Sequence, residues 1–252
     1  MILLGLDAAS DLRKFGVVMC RWTHGKLSLL AHGTLDQTSI RDAITQQLRT
    51  ADRALLAIDA PLGWPAALGQ SLAAHQAGQG IAVAQNTLFR RATDVSVHQR
   101  TGKLPLEVGA DRIARAAWQA LSVLQQLRAA TGHDIPLAWA PDFADRIAAI
   151  EVYPGALLKA TGGNPSGYKE QVGGVAARAL IATRFAELAP WLGNLVDQRA
   201  DVFDAALCTL AGIDFLRGEA IPPDEVALAR KEGWAPILRT GSLRSRSIRG
   251  HC

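Results

Sequence analysis

The chain has 252 residues, 49% of them hydrophobic and 20% charged, a balance that excludes a disordered or fibrous chain and allows a substantial core. Its formal charge of +4 favours no polyanion partner, because Arg244, Arg246 and Arg249 of the tail GSLRSRSIRGHC carry three of those charges and the remainder is nearly neutral. No apolar run is long enough to cross a bilayer, no basic leader precedes the first apolar run, and the scattered Cys20, Cys208 and Cys252 suit neither a disulfide framework nor a zinc site, so a cytoplasmic protein with no membrane partner is expected.

Residues 2–7 are a short apolar run that predicts a buried strand, and FGVVMCRW (15–22) and KLSLLAHGTL (26–35) predict two more. The THG between them supplies a turn, so the three form an antiparallel meander. Residues 39–52 place Ile40, Ala43, Ile44, Gln47 and Leu48 on one helical face, with Ser39 as the expected N-cap. ALLAIDA (54–60) follows as a strand reached through a helix and therefore parallel to an earlier one. Residues 66–130 read as an Ala-rich helical insertion with a loop near 100–109, ending in a helix over 111–132 stopped by Gly132. AAIEVYP (148–154) predicts another strand. A helix is expected over 168–188, weakened at Gly173 and Gly174, and a stronger one over 200–218; GWAPILR (233–239) reads as a last edge strand that tolerates Pro236. One domain over 1–240 with a disordered basic tail over 241–252 is expected.

Two strands end on a carboxylate, Asp7 in LLGLDA and Asp59 in LAIDAP. If the first strand is central and the 54–60 strand lies parallel beside it, the two acids sit at the same end of neighbours roughly 4.8 Å apart. Like charges that close are costly, and a divalent cation removes the cost. Pro61 then turns the chain away and leaves space at the strand end. The competing reading is that either Asp is a turn-former or helix cap. Asp201 and Asp204 form a second pair on one helical face. Asp201 suits an N-cap, whereas Asp204 precedes the apolar AALCTLAG and belongs at the edge of the core.

GLDAAS, IDAPLGWP, FRRATD, EVYPGALL and DVFDAALCTLAG together resemble the domain-of-unknown-function family 429, whose members are described as predicted nucleases of RNase H-like fold. The resemblance runs over most of residues 2–239 and implies an α/β protein: a mixed five-stranded sheet, antiparallel meander plus parallel strands, with flanking helices and a helical insertion. More distantly, the GLD strand and the DxxDA helix look like bacterial Holliday-junction resolvases, whose matching acids hold two divalent metals for phosphodiester hydrolysis. The resemblance assigns Mg²⁺ or Mn²⁺ to Asp7, Asp59, Asp201 and Asp204, with Asp7 between the metals. The second resolvase acid is typically Glu, and Asp59 is shorter.

Five further residues have two readings each. Glu151 ends a strand and is either a further site acid or a core-edge acid paired to an arginine. Arg90 and Arg91, with Asp94, form either a substrate-binding phosphate clamp or a surface ion-pair set. Lys169 follows the Gly-rich TGGNPSGY, which lacks Walker spacing, and is either substrate-binding or solvated. The function expected is a metal-dependent nuclease acting on nucleic acid or a smaller phosphoester. The alternatives are a nucleotide-binding phosphotransferase of the actin and sugar-kinase kind, or a non-catalytic interaction module.

Overall fold

The computed structural model describes residues 1–109, 111–170 and 173–238. The predicted tail over 241–252 lies outside them.

Five strands form one mixed sheet: β1 (Ile2–Asp7), β2 (Gly16–Thr23), β3 (Lys26–Thr34), β4 (Ala54–Asp59) and β5 (Ile147–Glu151), in the order β3-β2-β1-β4-β5. β1 pairs antiparallel with β2 and parallel with β4; β2–β3 is antiparallel and β4–β5 parallel. The expected meander and parallel addition are therefore both present. The reason is local. The turn at His24–Gly25 has positive φ at both residues, as a tight connection between twisted strands demands. The return to β4 instead passes through helix α1 (Thr38–Thr50), which needs a crossover.

The connection from β4 to β5 holds α2 (Ala66–Leu72), α3 (Gln85–Phe89), α4 (Ala92–Thr101) and α5 (Asp111–Thr131). Its two halves differ. α5 buries Ala120, Val123, Leu124 and Leu127 against Leu4, Leu6, Leu56 and Ile58 of the sheet and Ile44 of α1. It is thus a layer of the core, whereas α2 has no buried residue and residues 82–87 are exposed. Beyond β5 come α6 (Pro154–Ala160), α7 (Gly174–Arg184), α8 (Ala200–Leu216) and α9 (Val226–Glu232). α8 covers the other face of the sheet. It is buried on nearly every side, from Val202 to Phe215, because the sheet lies beneath it and Leu157, Leu158, Trp191 and Leu192 lie over it. Among the described residues no helix is long and apolar enough to cross a membrane.

Three boundaries differ from the sequence expectation. α1 begins at Thr38 with Gln37 as N-cap, so Ser39 lies inside the first turn rather than capping it. Among the described residues, the helix expected over 168–188 is only α7, with Gly173 before it at φ 81°, a left-handed conformation that interrupts a helix; residues 171 and 172 lie outside the described residues. The expected strand over 233–239 reduces to one bridge, Ala220 to Leu238, within the described residues, and residue 239 lies outside them. Pro236 has no N–H to give a ladder.

Candidate metal centre

Side-chain alternation fixes which residues can meet. In β1, Leu4 and Leu6 face α5, so Leu3, Gly5 and Asp7 face α8. In β4, Leu56 and Ile58 face α5, so Leu55, Ala57 and Asp59 face α8. Asp7 and Asp59 are direct partners in the parallel register. Their carboxylates therefore emerge side by side, from the same end and the same face of the sheet. A strand-ending Asp on a neighbour one residue out of phase would have pointed into the opposite layer.

The third acid comes from above. Asp204, on the first turns of α8, is buried, and one oxygen of each of Asp7, Asp59 and Asp204 lies within 4.8 Å of the others. This approach depends on glycine. A Cβ on Gly5 would overlap the Ala205 carbonyl oxygen and stand 2.8 Å from Thr209 Cγ2 and 3.0 Å from Thr209 N. A Cβ on Gly16 would overlap the Asp201 carbonyl oxygen and stand 3.0 Å from Val202 N. Two strand glycines thus let α8 lie against β1 and β2 with its N-terminal turn over the strand ends. The glycine in GLDAAS is a steric requirement for the acid two residues later.

Burial and mutual repulsion dominate the electrostatics. Burial, and then Asp204 and Asp59, raise the Asp7 carboxyl well above its usual range. Burial pushes Asp59 up to about 7, against the opposing pull of Lys169. Asp204 is also raised, first by burial, while Lys169 and the Tyr168 hydroxyl pull it down. Lys169 forms an ion pair with Asp204 Oδ2, its own side chain more than half exposed. Burial alone would lower the ammonium's proton affinity; Asp204, Asp7 and Asp59 outweigh it and hold Lys169 above its ordinary range. One lysine thus faces three carboxylates. Three hard oxygen donors, close together and short of positive charge, are a donor set that could hold a metal ion.

The other expected site residues are dispersed. Asp201 is outside this group of three; its carboxylate is 2.7 Å from the Arg199 guanidinium, although its charge is near enough to raise Asp7 and Asp204. Glu151 is in register with Ile58, which faces α5, so its side chain leaves the opposite face from Asp59. There it meets Arg91 through two bonds, Nη2 to Oε1 at 2.7 Å and Nη1 to Oε2 at 2.8 Å, and accepts from Leu62 N at 3.0 Å. Arg91 also donates to both oxygens of Asp94, at 3.2 and 2.9 Å, and to the Glu232 carbonyl at 3.1 Å. Its guanidinium is 3% exposed. Of the two readings for Arg91, Asp94 and Glu151, the structure gives an ion-pair set, but a buried one that ties α4 to β5 and to the segment after β4. Arg90 lies outside, with Nε 3.3 Å from Glu107 Oε1.

Asp7 and Asp59 open into a cavity of about 390 Å³. Tyr168 and Lys169 line it too, with Val97, Lys103, Pro105 and Leu106 from the β4–β5 connection and Ile113 and Ala116 of α5. Sequence reasoning did not single out Tyr168 or Tyr153. The signal available for Tyr168 was its position beside Lys169 after a glycine-rich loop, and for Tyr153 its place within EVYPGALL.

A family model described as "Protein of unknown function (DUF429)" matches residues 5–227, which contain all of these side chains. No curated protein matches the chain.

Proposed function

The chain belongs to the DUF429 family, and from that premise and the geometry of its acids we propose that it is a divalent-metal-dependent phosphodiester hydrolase, in the broad sense a nuclease. The observation that carries the reading is the convergence of Asp7, Asp59 and Asp204 from a central strand, its parallel neighbour and a crossing helix. Such a set is expensive to bury without a cation, and Lys169 answers only part of the charge. Mg²⁺ or Mn²⁺ bound by these acids would supply activation of water and stabilisation of charge on phosphate oxygens. The net reaction joins a water oxygen to phosphorus and breaks one P–O ester bond, with the departing oxygen taking a proton.

The chain's own groups have assigned tasks in this reading. Asp7 and Asp59 present ligand oxygens from rigid strand ends, and Asp204 closes the set from above. Lys169 neutralises Asp204 in the metal-free protein and stands ready to pair with a phosphate oxygen when the site is loaded. Arg91 and Glu151 act as positioning residues: Glu151 holds the Leu62 N–H, three residues after Asp59, and so fixes the exit of β4. Asp201 contributes charge at longer range. The same Lys169 contact favours a second reading, a non-catalytic module in which the lysine is the permanent counter-ion.

Calorimetry with Mn²⁺, combined with cleavage assays on nucleic acid and small phosphodiesters, separates the two. The hydrolase reading expects saturable Mn²⁺ binding lost in Asp7→Asn, and cleavage lost with it. If millimolar Mn²⁺ neither binds nor raises the melting temperature, the site holds no metal and the module reading replaces it.

A further inference from the structure

The cavity constrains what reaches the acids. Its volume of about 390 Å³ is at the low end of the ~300–1,000 Å³ typical of small-molecule pockets. A double helix cannot enter such a space unless one nucleotide is turned out of the stack. Its lining is mixed. Asp7, Asp59, Lys169 and Lys103 share it with the apolar side chains of Val97, Pro105, Leu106, Ile113 and Ala116 and with Tyr153, and the buried Arg91, Asp94 and Glu151 set borders it as well. The compound that matches this has a charged phosphoester at one end and a flat, largely apolar group at the other.

Cations for a polynucleotide backbone are scarce. Of the basic residues lining the cavity among the described residues, Arg91 is fully engaged by Glu151, Asp94 and the Glu232 carbonyl. That leaves Lys103 and Lys169, the second paired with Asp204 in the metal-free protein, so at most two lining cations are available to phosphates. Arg90, which is not among the lining residues, is paired with Glu107. Proteins that track a duplex neutralise several phosphates at once, and their affinity falls steeply with salt as a result. Among the described residues, the lining of this cavity holds no comparable set.

We infer that the substrate is a small phosphodiester bearing one nucleoside-sized group, held phosphate-first against the acids, rather than a duplex nucleic acid. The inference rests on the hydrolase reading above. It assigns specificity to the wall formed by Ile113, Ala116 and Leu106. Turnover joins a water oxygen to phosphorus and releases the smaller alcohol or phenol, leaving a monophosphate.

The test uses the full chain with Mn²⁺ and two kinds of probe: thymidine 5′-(p-nitrophenyl phosphate), and a 20-base-pair DNA duplex with its single strand. Expected is release of p-nitrophenol with kcat/KM at least ten-fold above the per-bond value for either polynucleotide. Calorimetry should show binding of thymidine 5′-monophosphate that depends weakly on salt. Ile113→Trp, which fills the cavity, should weaken that binding at least five-fold while the Mn²⁺ isotherm stays unchanged; Ala116→Leu, a smaller intrusion, should act in the same direction if the tryptophan variant does not fold. Faster cleavage of the duplex, or unchanged nucleotide affinity in a folded wall variant, overturns the inference and leaves the hydrolase reading standing. Absence of any Mn²⁺ isotherm overturns both.

Discussion

Gly5→Ala adds one carbon to the molecule and should damage both its stability and its candidate site. The new Cβ would overlap the Ala205 carbonyl oxygen and stand 2.8 Å from Thr209 Cγ2. Carbon atoms in contact prefer ~3.5–4.0 Å, so α8 must retreat from β1 by about 1 Å. Neither side yields easily. The contacted oxygen is main-chain, Gly5 sits mid-strand between paired neighbours, and α8 is packed on its outer side as well. Overpacking of a core costs ~1–3 kcal/mol, and with backbone on both sides we expect the upper end, about 3 kcal/mol. The same retreat lifts Asp204 from Asp7 and Asp59, so Mn²⁺ affinity should fall about ten-fold, roughly 1.4 kcal/mol. Urea unfolding reads the first effect and calorimetry the second. Gly69→Ala is the control: nothing lies within 4 Å of its Cβ, and it sits in an exposed helix where alanine is preferred by up to ~1 kcal/mol. A Gly5→Ala protein that unfolds at the wild-type urea concentration and binds Mn²⁺ equally well would refute the claim that this close approach builds the site.

Asp7→Asn keeps the side-chain shape and removes one of three repelling charges, so the metal-free protein should melt higher at pH 8 while losing its response to Mn²⁺; wild type at 100 times Kd should gain about 2.7 kcal/mol by mass action. Asp201→Asn should change both quantities far less, which differential scanning calorimetry on the two variants checks. In chelator, Asp59 binds its proton more tightly folded than unfolded, so its contribution is present at low pH and is lost as pH rises from about 4 to about 7. The loss is about 1.4 kcal/mol per pH unit for one proton, read as the stability difference between wild type and Asp59→Asn, and saturating Mn²⁺ should reverse the trend; a difference flat with pH refutes the burial argument. Arg91→Met leaves Asp94 and Glu151 buried without their cation and should cost about 3–5 kcal/mol in urea unfolding, partly restored by adding Glu151→Gln. A loss below about 1 kcal/mol would mean that the network is dispensable.

The sequence by itself determined the meander, the parallel return of β4, the burial of α8 and the pairing of Asp7 with Asp59. Each follows from short-range causes: connection length, hydrophobic period, and the shared position of two acids at the ends of two apolar runs. What the tertiary structure decided was which other polar groups join them. Glu151 ends its strand as Asp7 and Asp59 do, yet it is in register with Ile58, so the two-residue period of a strand sends it to the opposite layer. Arg91 and its neighbour Arg90 look alike in sequence. One is nearly sealed between two carboxylates and the other is at the surface, because only Arg91 meets Glu151 at the end of β5. Asp204 enters the site and Asp201, three residues earlier on the same helix, does not, because α8 crosses β1 at the height set by Gly5. Register and crossing height are relations between segments far apart in the chain, and local pattern carries no record of them until the segments are packed.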